Sequence, residues 1–251
     1  MIISNKINEV KMATIQDNNE LFKIIITKFH NEYGTNLESI TVYGSSIGPD
    51  FNPKISDINL AIVLNTMDID SLLKAKHAIL SLKKKKVGTP LFLTKEYIQH
   101  SLDTFPIEFL NIQTQHKTIF GEDIFSELTF SNDDLRLQAE RELKGKSLLL
   151  RLSFLENIKN HNALLQLISS SITSFIPVFK ALLFIKAKPI PNTKESIIRS
   201  TQEAMNIDGK IFHNALDIKY KRIKLKKDEL LDFFRKYSKE VDKLSVIVDN
   251  M

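Results

Sequence analysis

The apolar positions in the first half of the chain change period several times. From Asn18 to Tyr33, Leu21, Phe22, Ile25, Ile26 and Phe29 fall on one helical face, which predicts an amphipathic helix. Ser39 to Tyr43 is strand-like and stops at Gly44, and Asp57 to Leu64 is a second strand rich in Ile, Leu and Val. Ile69 to Leu82 reads as helix, Pro90 to Leu93 as a short strand and Lys95 to Leu102 as helix. Phe105 to Gln113 and Thr118 to Phe120 read as two more strands. The link between the strands near 42 and 58 is too short for a full crossover helix. A mixed or antiparallel sheet carrying helices is therefore expected, rather than a doubly wound one.

After Gly121 the pattern becomes helical throughout. Ser131 is placed to cap a long amphipathic helix, with Asp134 three residues on. Ala163 to Lys186 is the longest apolar stretch, with Leu164, Leu167, Ile168, Ile172, Phe175, Val178, Phe179, Leu182 and Leu183 at three- and four-residue spacing. Gln166, five hydroxyl residues, Pro177 and Lys180 interrupt it. It is read as the buried helix of a bundle rather than a membrane span. A loop broken by Pro189 and Pro191 leads to helical segments near 194–206, 209–219 and 226–248. The expected fold class is α+β, with a sheet domain over 1–127 and an α-helical bundle over 128–251.

Composition narrows the setting. The 251 residues are 43% hydrophobic and 26% charged, ordinary for a globular chain and too apolar for a disordered one. Cysteine is absent, so no disulfide framework and no thiolate zinc site exist, and a reducing cytoplasm fits. The first twenty residues lack the basic segment and long apolar core of a signal peptide. The formal charge of +5 is uneven: residues 1–127 hold 13 Lys+Arg against 15 Asp+Glu, and residues 128–251 hold 22 against 15. A basic second half can attract an anion or simply be a solvated helical surface.

The stretch VYGSSIGPDFNPKISDINLAIVL, Val42 to Leu64, carries the candidate chemistry. Gly44 permits a sharp turn after a strand. The amides that follow it, with the Ser45 and Ser46 hydroxyls, are placed to donate to phosphate oxygens. Asp57 and Asn59 stand two apart on the next strand, so their side chains are expected on one face while Ile58, Leu60 and Ile62 enter a core. Glu108 lies between Ile107 and Phe109 in a third apolar strand, where a carboxylate needs a partner or a metal. Each residue also has a structural reading: an ordinary turn at Gly44-Ser45, a strand cap at Asp57 with Ser56, and a lysine partner for Glu108. Asp50 is read as a solvated turn residue.

Gly44-Ser45, then Asp57-x-Asn59 on a strand and Glu108 on a later one, resembles the nucleotidyltransferase superfamily over roughly 40–125. The resemblance implies that a nucleoside triphosphate is bound through Mg2+ and that its nucleoside monophosphate passes to a small-molecule or protein acceptor. Under it, Gly44, Ser45 and Ser46 hold phosphate, Asp57 and Glu108 hold metal, and Asn59 is a neutral helper. The family has a second carboxylate where this chain has Asn59, which reduces three negative charges to two. An enzyme and a catalytically silent nucleotide-binding or regulatory protein are both open.

Other chemistries find no support in the sequence. The six histidines show no zinc-site spacing, and no nucleophile elbow, P-loop or dinucleotide fingerprint is present. No membrane partner is expected. Lys83 to Lys86 suits a helix end. Lys219 to Glu229 is a polyanion candidate, but with only Tyr220 for stacking it is a weak nucleic-acid signal. Arg136, Arg141, Lys144 and Lys180 are expected to supply positive potential from the first two bundle helices.

Overall fold

The apolar residues from Leu37 to Tyr43 form β1, the centre of a small mixed sheet. The computed structural model describes residues 19–49, Phe51 and 57–251. Asn18, Asp50 and Ser56 lie outside the described residues. A helix over 19–33 (α1) precedes β1. There follow β2 (Asn59–Leu64), α2 (Ile69–Lys74), α3 (Lys76–Lys83), β3 (Leu91–Leu93), α4 (Lys95–His100), α5 (Pro106–Thr114) and β4 (His116–Gly121).

The strand order is β3-β2-β1-β4. β1 runs antiparallel to β2 and β4, while β3 runs parallel to β2 after the α2–α3 crossover. The expected α+β sheet is therefore mixed. One face of it buries Ile40, Val42, Ile58, Leu60, Ile62 and Leu64 against Ile25, Phe29 and Tyr33 of α1 and Ala75, Ala78 and Leu82 of the crossover. Each of the Ile, Val, Leu and Phe side chains contributes about 1.5–3 kcal/mol when fully buried. Gly121, at φ +73°, closes β4 against β1; a Cβ there would stand 1.9 Å from the Glu38 carbonyl oxygen. Only glycine fits that approach.

The strand expected over Phe105–Gln113 is instead α5. Ile107 and Phe109 alternate, but Pro106, Ile107, Phe109, Leu110 and Ile112 are all buried, which a helix inside a bundle achieves and a one-sided strand does not. Pro106 suits a first helical turn, where its missing N–H is not needed. The decisive contact is distant in sequence: Ile107 N donates to the Gln138 side-chain oxygen at 2.8 Å, capping the helix.

The second half is helical as expected: α6 (Asn132–Asn157), α7 (His161–Ile185), α8 (Lys194–Met205), α9 (Gly209–Lys219) and α10 (Lys227–Asp249). Ser131 caps α6 by accepting from Asp134 N, and Asn160, Thr193 and Asp208 cap the three helices that follow. α7 is long and apolar enough to cross a membrane. Here its Leu164, Ile168, Ile172, Phe175, Phe179 and Leu183 lie in the core of the bundle. Around them Phe175, Phe179, Phe212, Phe233 and Tyr237 form a continuous set of stacked and edge-on rings. The buried Tyr237 hydroxyl is satisfied by Ser171 Oγ at 2.9 Å.

The chain divides into two compact units. The sheet unit holds α1, the four strands, α2–α4 and the segment to Ser126. The helical unit holds Ser101–Thr114 and Glu127–Met251, so α5 and its Glu108 are part of it.

Candidate functional site

In the sheet unit, β1 runs directly into a tight 3-10 turn, Gly44–Ile47. Gly44 takes φ +78°, and its N–H donates to the Gln115 carbonyl at 2.8 Å, tying the turn to the start of β4. Asn59 is packed against this turn. A Cβ added at Gly44 would come within 3.2 Å of Asn59 Nδ2, and one added at Gly88 would lie 3.8 Å from Asn59 Oδ1. The Asn59 amide thus lies beside both glycines, and at 44 the absence of a side chain makes room for it.

Ser46 is buried, and its hydroxyl donates to the Tyr43 carbonyl at 3.3 Å, so its proton is used inside the turn. Ser45 is half-buried. Asp57 lies just before β2 and is exposed. The expected division of the β2 side chains holds for Ile58, Leu60 and Ile62, which enter the core.

Register adds residues that sequence reasoning missed. Asn59 pairs with Tyr43 across β2–β1, and Tyr43 pairs with His116 across β1–β4. Laterally paired residues share a face, so Asn59, Tyr43 and His116 form one row beside the Gly44 turn. His116 Nε2 stands 2.8 Å from Asp123 Oδ1. Burial raises the Tyr43 hydroxyl above its ordinary pKa. A histidine and an aspartate on either side of Gly121 were the only sequence signal for that pair.

Glu108 departs from its expected place. It sits in the first turn of α5, in the helical unit, and its Oε2 accepts from Gln138 Nε2 at 2.7 Å. Gln138 therefore braces both the α5 N-terminus and the Glu108 carboxylate. Among the described residues no group of three His, Cys, Asp or Glu side chains is gathered as a metal site would need. In the sheet unit, Asp57 and the Asn59 amide bring one negative charge between them, less than two neighbouring carboxylates would offer a magnesium ion; Glu108, held by a neutral amide, keeps its charge.

The helical unit carries its own electropositive cluster. Lys180, near the end of α7, is buried, and its ammonium donates to Asn111 Oδ1 at 2.9 Å and Thr114 Oγ1 at 3.1 Å. Burial, then the neighbouring Lys194, pushes its pKa down to about 8. Lys219 donates to Thr173 Oγ1 at 2.7 Å, and burial followed by the charge of Lys194 lowers its pKa as well. Lys194 opens α8, where the helix dipole already presents positive charge. The other expected basic residues differ: Arg136 and Lys144 pair with Glu140, and Arg141 is exposed. In the 219–229 segment, Arg222 pairs with Glu195 and Asp217 and lies over the Tyr220 ring.

No protein-family profile matches the sequence, and no curated protein does either. Among solved structures, the chain is similar to spectinomycin adenyltransferase AAD(9) from Enterococcus faecialis, determined with ATP and spectinomycin. The two superpose with a TM-score of 0.56 at 12% identity, over 92% of this chain and 99% of the other. At that identity the likeness is one of fold, and it spans both the sheet and the helices. The Gly44 turn between β1 and β2, the mixed sheet and the helices that follow it give this chain a fold similar to that of this adenyltransferase.

Proposed function

We propose that the protein binds a nucleoside triphosphate, and that binding is better supported by its geometry than transfer. The observation that carries this reading is the cluster Lys180, Lys194 and Lys219. Lys180 is buried and Lys219 partly buried, each against neutral oxygens, and neither is in an ion pair among the described residues. Desolvated like charges are costly, and an oligophosphate would offset that cost. The Gly44–Ile47 turn supports the reading independently, with Ser45 and the turn amides as phosphate donors. The adenyltransferase of like fold was solved with ATP, which agrees with a triphosphate as ligand.

The second reading is nucleotidyl transfer to a small-molecule or protein acceptor, with Asp57 as a Mg2+ ligand. It is favoured by the adenyltransferase named above, which pairs ATP with a small acceptor. Asn59, a neutral amide in place of a carboxylate, counts against it. Calorimetry with each triphosphate, with and without magnesium, followed by a pyrophosphate-release assay, separates the two. Binding without pyrophosphate release supports the first, release supports the second, and no binding of any triphosphate overturns both.

A further inference from the structure

The outer face of α6 is apolar where solvent should meet it. Leu148, Leu149, Leu152 and Leu155 are 56%, 61%, 50% and 67% exposed, within just over two turns of helix. The inner face of the same helix already buries Leu135, Ala139, Leu143, Ser147 and Leu150. Scattered exposed leucines are ordinary, but four together on one helix face mark a surface that expects a partner.

The charges around the leucines identify that partner. Arg136, Lys144, Lys146 and Arg151 are each paired within the helical unit, with Glu140, Glu140 and Asp249, Glu142, and Asp242. Arg141 and Glu156 are exposed and are in no ion pair among the described residues. They stand about four helical turns apart, roughly 22 Å, at equal distances either side of the Leu148–Leu149 peptide. We propose that this face is the interface of a homodimer, in which two α6 helices cross antiparallel about a two-fold axis at Leu148–Leu149.

Under that one symmetry operation Arg141 meets Glu156 of the second copy, twice. Leu148 meets Leu149, and Gly145 meets Leu152 of the second copy. A Cβ at Gly145 would find nothing within 4 Å, so the glycine leaves a hollow for that leucine. Opposite charges, small against large, and leucine against leucine all follow from a single axis, as an isologous interface requires. The proposal is independent of nucleotide binding.

Light scattering on the full chain after size exclusion, across a concentration series, tests it. The wild type should be a dimer at micromolar concentration. Leu148→Lys with Leu152→Lys should give a monomer with unchanged far-ultraviolet circular dichroism, since both positions are exposed. Arg141→Glu alone and Glu156→Arg alone should each weaken dimerisation about tenfold, and the double swap should restore it to within about threefold, because charge pairs across an interface couple. A wild type that stays monomeric at about 100 μM overturns the proposal. So does a dimer that survives the lysine substitutions, or a double swap no better than either single one. Should the lysine variant fail to fold, the charge-swap series still decides.

Discussion

Lys180→Met should flatten the dependence of stability on alkaline pH. Lys180 is buried and its pKa is pushed down to about 8 from 10.5, first by burial and then by Lys194. The sign follows from proton counting. Between about pH 8 and pH 10.5 the unfolded chain holds the proton and the folded chain has released it, so stability rises with pH through that window. Below about pH 8 both states are charged and the full penalty applies. At 1.36 kcal/mol per pH unit the whole difference is about 3.4 kcal/mol. Of this, about 2 kcal/mol should be gained between about pH 7 and pH 9.5. Urea unfolding at several values in that range, for wild type and variant, reads the slope. Hydrogen bonds lost to Asn111 and Thr114 in the variant shift its stability by a constant and leave the slope comparison intact. Triphosphate should bind better below about pH 8, where Lys180 is charged, and weaken as pH rises through it. Equal slopes in the two proteins would refute the argument, because Lys180 would then titrate alike folded and unfolded.

Gly44→Ala should lower stability by about 1–2 kcal/mol, since its φ of +78° is costly for alanine and the new Cβ presses on Asn59; triphosphate affinity, read by calorimetry, should fall with it. Gln138→Ala should leave Ile107 N and Glu108 without their partner and cost about 1–3 kcal/mol, a melting temperature about 2–10 °C lower by differential scanning fluorimetry. Under the binding reading, Asn59→Asp should bring neither magnesium-dependent affinity nor pyrophosphate release; appearance of release would favour the transfer reading.

The sequence by itself determined most of the elements, because they depend on local periodicity. The apolar strand runs at β1 and β2, the helical stripes of α1 and α7, and the cap at Ser131 are all short-range signals. Gly44 was legible as a turn for the same reason: its backbone requirement is written in the residue type. Where a segment's periodicity was ambiguous, tertiary contact decided. Phe105 to Gln113 fits either period, and burial on all sides with the Gln138 cap made it helix and carried Glu108 into the helical unit. The cluster of Lys180, Lys194 and Lys219 could not be read from the chain, since its members come from three helices. The lowered proton affinities of Lys180 and Lys219 arise from burial and from the charge of Lys194, and neither exists until α7, α8 and α9 pack together.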